Sequence, residues 1–278
     1  MKKTKELLEK LDNRIDEVKD SDEFKDMLRF LSKFHKYSYH NSILIHIQNQ
    51  EATFVAGYKQ WQTKFNRQVK KGEQGIAILA PFTYKKKVTE ETEDGDEKET
   101  DKTVTKTYFR PVYVFDIAQT EGPPPPIIDI SLQDNLNELL QPLVEFTTSK
   151  QEIKLKYKPL SEHTSGYSAG GLIVIDDNLN DTEKINVLLH ELAHELLHYE
   201  GKDDLTREIK EMEAEAVSFV VLAHYKIESK SDKYLAMYKK TYDLKKSLDK
   251  ISKVSSSIID YCDRHINKKT DSDIKQAM

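Results

Sequence analysis

The residues best suited to chemistry lie in VLLHELAHELLH, Val187 to His198. Two histidines four residues apart, with a glutamate directly after the first, form the HExxH pattern, which on a helix holds a zinc ion and a water-activating base. At about 3.6 residues per turn, His190 and His194 lie one above the other, where both imidazoles reach one ion at roughly 2.0–2.1 Å. Glu191 lies about 100° round the helix, so its carboxylate bypasses the ion and takes a proton from water, the general-base role. The pattern is doubled, because His194 to His198 also reads as HExxH. The first register follows the apolar run Ile185, Val187, Leu188, Leu189 and sits where the helix is rigid. The second runs out beside Tyr199, Glu200 and Gly201, a fraying end with its glycine stop. The first register is therefore the expected site.

A catalytic zinc takes three protein ligands and keeps one position open, so a third ligand must come from elsewhere. The helical stretch Leu205 to Tyr225 contains EMEAEAVSFVVLAHY, with Glu211, Glu213 and Glu215. Alternate spacing on a helix sends these acids in different directions, so at most one or two face the metal. Glu215 begins the apolar half, ahead of Ala216, Val217, Phe219, Val220, Leu222 and Ala223, and a carboxylate embedded there needs a partner. Glu211 and Glu213 read with the solvated face of Arg207, Glu208 and Lys210. His224 reads as a packed or exposed histidine rather than a ligand.

IVIDDNLNDTEKINVLLHELAHELLH followed by EAEAVSFVV resembles the gluzincin-type peptidase domain of the ImmA/IrrE and ArdC groups. In that family a glutamate before a small residue supplies the third ligand. The resemblance thus implies a Zn²⁺ held by His190, His194 and Glu215, with Glu191 as catalytic base.

The elements that must position this site belong to a longer plan. At 278 residues, 37% hydrophobic and 33% charged, the chain has room for two cores and reads as an α+β protein of two domains. No apolar run approaches the roughly 20 residues of a membrane helix, and MKKTKELLEKLD lacks a signal peptide's apolar centre, so a cytoplasmic protein with no membrane partner is expected. Its one cysteine, Cys262, excludes an internal disulfide and reads as a packed thiol among Ile258, Ile259 and Ile266. Four prolines, Pro123 to Pro126, favour a stiff spacer. The expected division is a DNA-binding module over 1–122, a linker over 123–130 and a zincin-like domain over 131–278.

In the second domain the pattern predicts a helix over Leu132 to Phe146, a strand EIKLKY, two strands joined by a turn in EHTSGYSAGGLIVIDD, and one or two helices over Asp232 to Ile266. A sheet edge beside the metal helix suits an extended peptide added as a strand, with His163, Tyr167 and Ser168 along the cleft. In the first, Lys3 to Asn49 reads as helices. The acidic run between Tyr84 and Tyr108 contains Asp94-Gly95, a hairpin turn signal, so its flanks are expected to pair as a β-ribbon.

From Lys59 to Lys71 the charges are Lys59, Lys64, Arg67, Lys70 and Lys71, without one acid. Interleaved with Tyr58, Trp61 and Phe65, they suit single-stranded nucleic acid, where cations meet phosphates and rings stack on bases. The candidate DNA contacts are Tyr58, Trp61, Lys64, Arg67, Lys70 and Lys71. A solvated basic face explains the lysines equally well, and a lone tryptophan in a helix is more often a core plug. A net charge of −5 conceals this local basic surface. YSYHNSILI, GYKQWQ, VKKGEQGIAILAP and RPVYVFDIAQTEG, in that order, resemble the N-terminal single-stranded-DNA-binding domain of ArdC-type antirestriction proteins. The resemblance implies a single-stranded-DNA-binding protein with a zinc-dependent peptidase-like domain, protecting transferred mobile-element DNA and acting on a protein or peptide substrate. Two alternatives keep parts of it: a regulatory metalloprotease that cleaves a repressor-type protein, and a non-catalytic DNA-shielding protein with a structural metal. An intact Glu191 favours turnover, since a purely structural site needs no base.

Overall fold

A computed structural model describes residues 2–18, 21–91, 97–124, 136–199, 205–227 and 243–277. In chain order the N-terminal elements are α1 (Lys2–Glu17), α2 (Ser21–Lys33), α3 (Tyr39–Gln48), β1 (Val55–Gly57), α4 (Tyr58–Thr63), β2 (Gln68–Val69), β3 (Ile76–Glu91), β4 (Glu97–Asp116) and β5 (Thr120–Glu121). After them come α5 (Asn137–Glu145), β6 (Lys154–Lys158), β7 (Gly166–Ser168), β8 (Leu172–Asp176), α6 (Asp181–His198), α7 (Arg207–His224) and α8 (Leu244–Ala277). Two compact units result, one of Met1–Asn13 with Leu44–Pro125, the other of Arg14–Ile43 with Pro126–Met278. Residues 14–43 thus pack in the same unit as the HExxH helix.

The first unit is organised by an antiparallel sheet in the order β1-β4-β3. The β3–β4 ladder runs from Ile76↔Val114 out to Glu91↔Glu97, with one irregularity between Lys87 and Thr89, so the flanks of the acidic run do pair as a ribbon. The Asp94-Gly95 turn lies outside the described residues. Asp116 anchors the base of the sheet. Its buried carboxylate accepts from the backbone N–H groups of Thr53 (2.8 Å), Phe54 (3.1 Å) and Ala118 (2.9 Å), which is how a buried charge is tolerated. Gln48 clamps β3 in the same way, donating to the Ala77 carbonyl (2.8 Å) and accepting from its N–H (3.0 Å).

The second unit carries the mixed sheet β6-β8-β7, with β6 parallel and β7 antiparallel to the central β8. Gly170 and Gly171 make the two-residue turn between β7 and β8, both with positive φ (61° and 79°), as a primed hairpin turn demands. The helix α6 begins at a capping box: the Asn180 side chain accepts from the Glu183 N–H (3.0 Å), and Glu183 accepts from the Asn180 N–H (3.2 Å). Its buried stripe is Ile185, Leu188, Leu189, Leu192 and Ala193. Behind it, α7 is packed by α6, α2 and α8, and from Met212 to Leu222 it is buried on nearly every side. Leu248, Ile251, Ile258, Ile259, Cys262 and Ile266 form the inward stripe of α8. Residues 232–242 of the helical segment expected over Asp232 to Ile266, with Tyr234, Tyr238 and Tyr242, lie outside the described residues, as do residues 125–130 of the proline linker.

Candidate metal centre and nucleic-acid interface

The rigid mid-part of α6 presents His190 and His194 with ring centroids 4.7 Å apart and their Nε2 atoms 3.1 Å apart. Glu211, on α7, brings one oxygen to 3.4 Å from His190 Nε2 and 3.6 Å from His194 Nε2. These three residues are a group able to hold one cation. Two imidazole lone pairs and a carboxylate oxygen meeting at one point are a divalent metal's donor set, and two Nε2 atoms this close must otherwise share a proton. The titration behaviour has the same cause. Burial would push the His190 imidazole down, but Glu211 and Glu215 outweigh it and carry it up to about 10. The hydrogen bond from His190 in turn holds Glu211 down at about 2, against its burial. His194 is lowered by burial and by the charge on His190.

Glu215 occupies a different position. Its carboxylate accepts from His190 Nδ1 at 2.9 Å, on the far side of the ring from the cluster. That contact leaves Nε2 turned towards His194 and Glu211, an arrangement like that of an outer carboxylate behind a ligating histidine. Glu213 points elsewhere again: 1% exposed, it accepts from the Ser247 hydroxyl at 2.6 Å and lies 3.7 Å from His198 Nε2. Glu211 and Glu213 therefore do not lie on the solvated face that their neighbours suggested. The physical reason is that α7 is enclosed by three helices, so its polar residues turn towards partners inside the unit. His198, the end of the second HExxH register, stays with Glu213 and does not join the cluster.

Glu191 faces the sheet. Burial raises its carboxyl pKa, while hydrogen bonds from the Ser168 hydroxyl and backbone act against that rise. The edge strand β7 lies close to α6 because Gly166 has no side chain: a Cβ there would meet Val187 Cγ1 at 2.4 Å. Glu195 holds the adjoining turn, accepting from the N–H groups of Gly170 (2.8 Å) and Gly171 (2.7 Å). Ser168, expected along a peptide cleft, lies beside Glu191, and the Glu195 clamp has its sequence signal in a GG turn beside a second HE pair.

The basic segment is more deeply built into the first unit than its sequence suggests. Trp61 is 0% exposed, donates from Nε1 to the Phe115 carbonyl (2.9 Å) and packs with Ala56, Val69, Phe54 and Phe65. A ring so enclosed is a core plug, which corrects the expectation that it stacks on bases. Arg67 is likewise corrected as a phosphate contact, since its guanidinium donates to Thr120, Gly122 and Pro123. Lys70 donates to the Ala118 carbonyl at 2.9 Å. Tyr58, Lys64, Lys70 and Lys71 are exposed.

A second aromatic surface lies on the ribbon. Phe82 and Tyr108 face each other across β3 and β4, their centroids 5.9 Å apart, and Tyr84 is 5.8 Å from Tyr108 on the same face. Arg110 caps this row with its guanidinium 3.4 Å from the centre of Phe82, and Lys106 sits opposite Tyr84. Tyr84 and Tyr108 are 47% and 46% exposed. Sequence reading passed over them because alternating polar and aromatic residues in a ribbon read as ordinary strand composition.

The fold and this site define a protein of two parts, a ribbon-bearing α+β module and an HExxH-type metal domain. Residues 2–115 match the N-terminal domain of the anti-restriction factor ArdC, and residues 148–258 match the IrrE N-terminal-like domain, Peptidase_M78. The chain thus carries an ArdC-type N-terminal domain followed by an IrrE-like domain, a pairing that supports an ArdC-type antirestriction protein. It is similar to an uncharacterized protein of Bacillus anthracis, pXO2-81, at 26% identity over 95% of this chain, and it spans about half (52%) of that relative's length. Among solved structures it is similar to the antirestriction protein ArdC of plasmid R388 in its metal-free and Mn(II)-bound forms. Identity is 16% in both, TM-scores are 0.45 and 0.43, and the match covers 82% of this chain and 85% and 84% of those. No helix among the described residues is long and apolar enough to cross a membrane.

Proposed function

We propose that this protein binds single-stranded DNA through its first unit and hydrolyses a peptide bond at a Zn²⁺ centre in its second, in the service of antirestriction. The observation that carries the enzymatic part is the convergence of His190, His194 and Glu211 beside a separately placed Glu191. In this reading His190, His194 and Glu211 are the ligands, and Glu215 is the carboxylate that orients His190. Zn²⁺ held there would supply Lewis acidity towards a carbonyl oxygen and a water. Glu191 takes the proton as the water oxygen attacks the carbonyl carbon, then returns it to the amine nitrogen as the C–N bond breaks. Its raised pKa suits that two-way traffic. The substrate enters extended along β7, which pairs only with β8 among the described strands, so its outer edge offers backbone donors and acceptors to a peptide.

For DNA, the supporting feature is the row of Phe82, Tyr108 and Tyr84 flanked by Arg110 and Lys106. Rings stack on bases of any sequence and the cations meet phosphates, but a duplex keeps its bases paired and out of reach. Tyr58, Lys64 and Lys71 extend the same chemistry. The test uses the full chain loaded with Zn(II): single-strand and duplex titrations at two salt concentrations, and cleavage of a denatured protein mixture compared with Glu191→Gln. Preference for single strand together with Glu191-dependent cleavage is expected. Equal affinity for duplex removes the DNA assignment, and equal cleavage by Glu191→Gln removes the peptidase.

A further inference from the structure

Apart from the HExxH cluster, a second set of donors converges in the unit that contains α6. His35 follows the C-terminal end of α2, His224 ends α7, and Asp263 lies in α8. One ligand atom from each lies within 4.8 Å of those of the other two. His224 Nε2 is 3.3 Å from Asp263 Oδ1, and the two imidazole rings meet edge to face with centroids 4.6 Å apart. The surroundings orient these donors. The Ser32 carbonyl accepts from His224 Nδ1 at 3.2 Å, which leaves Nε2 aimed at the cluster. The Tyr225 hydroxyl donates to Asp263 Oδ1 at 2.9 Å. A carbonyl behind an imidazole and a donor behind a carboxylate are the outer contacts that metal ligands take.

His35 is the group that asks for a partner. Its side chain is 8% exposed, and among the described residues neither ring nitrogen completes a hydrogen bond. The Asp260 carboxylate stands 3.6 Å from Nε2, and the Ser32 carbonyl already serves His224. Buried polar groups in native proteins are satisfied as a rule, so an imidazole left with two open nitrogens beside a second imidazole and a carboxylate points to a ligand. His224 and Asp263 each retain a partly exposed side chain, which opens the cluster to solvent.

We propose that His35, His224 and Asp263 form a second divalent-cation site that takes a borderline first-row ion, Zn²⁺ foremost, and ties α2, α7 and α8 together. Two nitrogens and one oxygen suit zinc and its neighbours rather than calcium or magnesium, which require oxygen ligands. The site is a staple: its ligands are far apart in sequence, so an ion bound only by the folded arrangement stabilises that arrangement. It stands independently of the peptidase reading.

The experiment counts metal on the full chain, stripped with a chelator, refilled with Zn(II) and desalted. Wild type is expected to hold two equivalents and the His190→Ala/His194→Ala variant one. His35→Gln, close in size to the imidazole, is expected to hold one, which His190→Ala/His194→Ala then removes in the combined variant. One equivalent in wild type, unchanged by His35→Gln, overturns the proposal and leaves an ordinary His224–Asp263 ion pair with His35 packed beside it. Should His35→Gln fail to fold, the thermal midpoint of His190→Ala/His194→Ala is read with and without Zn(II). A rise that Asp263→Asn abolishes supports the site. No rise, or a rise that survives Asp263→Asn, overturns it.

Discussion

Exchanging each of two glutamates for glutamine separates an ion's ligand from the residue that merely aims a ligand. Glu215 accepts from His190 Nδ1 at 2.9 Å, whereas Glu211 lies 3.4 and 3.6 Å from the two Nε2 atoms that face one another. Glutamine keeps length and volume and removes the charge. Loss of an outer partner lowers metal affinity about 10–100-fold, that is by roughly 1.4–2.8 kcal/mol, which is the effect expected for Glu215→Gln. Glu211→Gln takes away the cluster's only charged donor and leaves two imidazoles, so its loss should exceed that range. The assay is competition for Zn(II) between each variant and a chromophoric chelator, with circular dichroism confirming the fold. The reasoning is refuted if Glu215→Gln loses the ion while Glu211→Gln stays within about tenfold of wild type, the order of effects that the family resemblance by itself implied.

Glu191→Gln should retain Zn(II) to within a few fold and lose peptide cleavage; loss of the ion instead would move Glu191 into the ligand set. Trp61→Ala should lower stability by about 3–5 kcal/mol in urea unfolding, as removal of a fully buried ring does, and a loss below about 1 kcal/mol would contradict its place in the core. Tyr84→Ala with Tyr108→Ala should leave the unfolding midpoint nearly unchanged yet weaken single-strand binding by about 1–3 kcal/mol per stacked base, and unchanged binding would clear the ribbon of that role. Gly166→Ala should cost about 1–3 kcal/mol by overpacking, because Val187 Cγ1 and the Val174 carbonyl leave its Cβ no room; a Val187→Ala partner should recover part of that loss, and no recovery would place the strain elsewhere.

Local chemistry was legible in the sequence wherever one element carries the whole signal. The spacing of His190 and His194 within an apolar helix, the GG turn before LIVID and the apolar stripe containing Cys262 all follow from helical or hairpin geometry, which needs no distant partner. The two-part α+β plan was legible for the same reason, since order and composition along the chain carry it. What only the tertiary structure decided is which of several equivalent side chains meets a partner from another element. Glu211, Glu213 and Glu215 alternate along one helix, and sequence distributes them between a wet face and a dry one. Enclosure of α7 by α2, α6 and α8 removes that distinction, sending Glu211 and Glu215 to opposite nitrogens of His190 and Glu213 to Ser247. Trp61 and Arg67 were drawn to the DNA surface by composition, but burial against Phe115 and a guanidinium shared among Thr120, Gly122 and Pro123 turn them into structural parts. His35 lies 189 residues before His224 in the chain, and only packing of three helices makes them neighbours, because a ring's partners are set by where the chain returns.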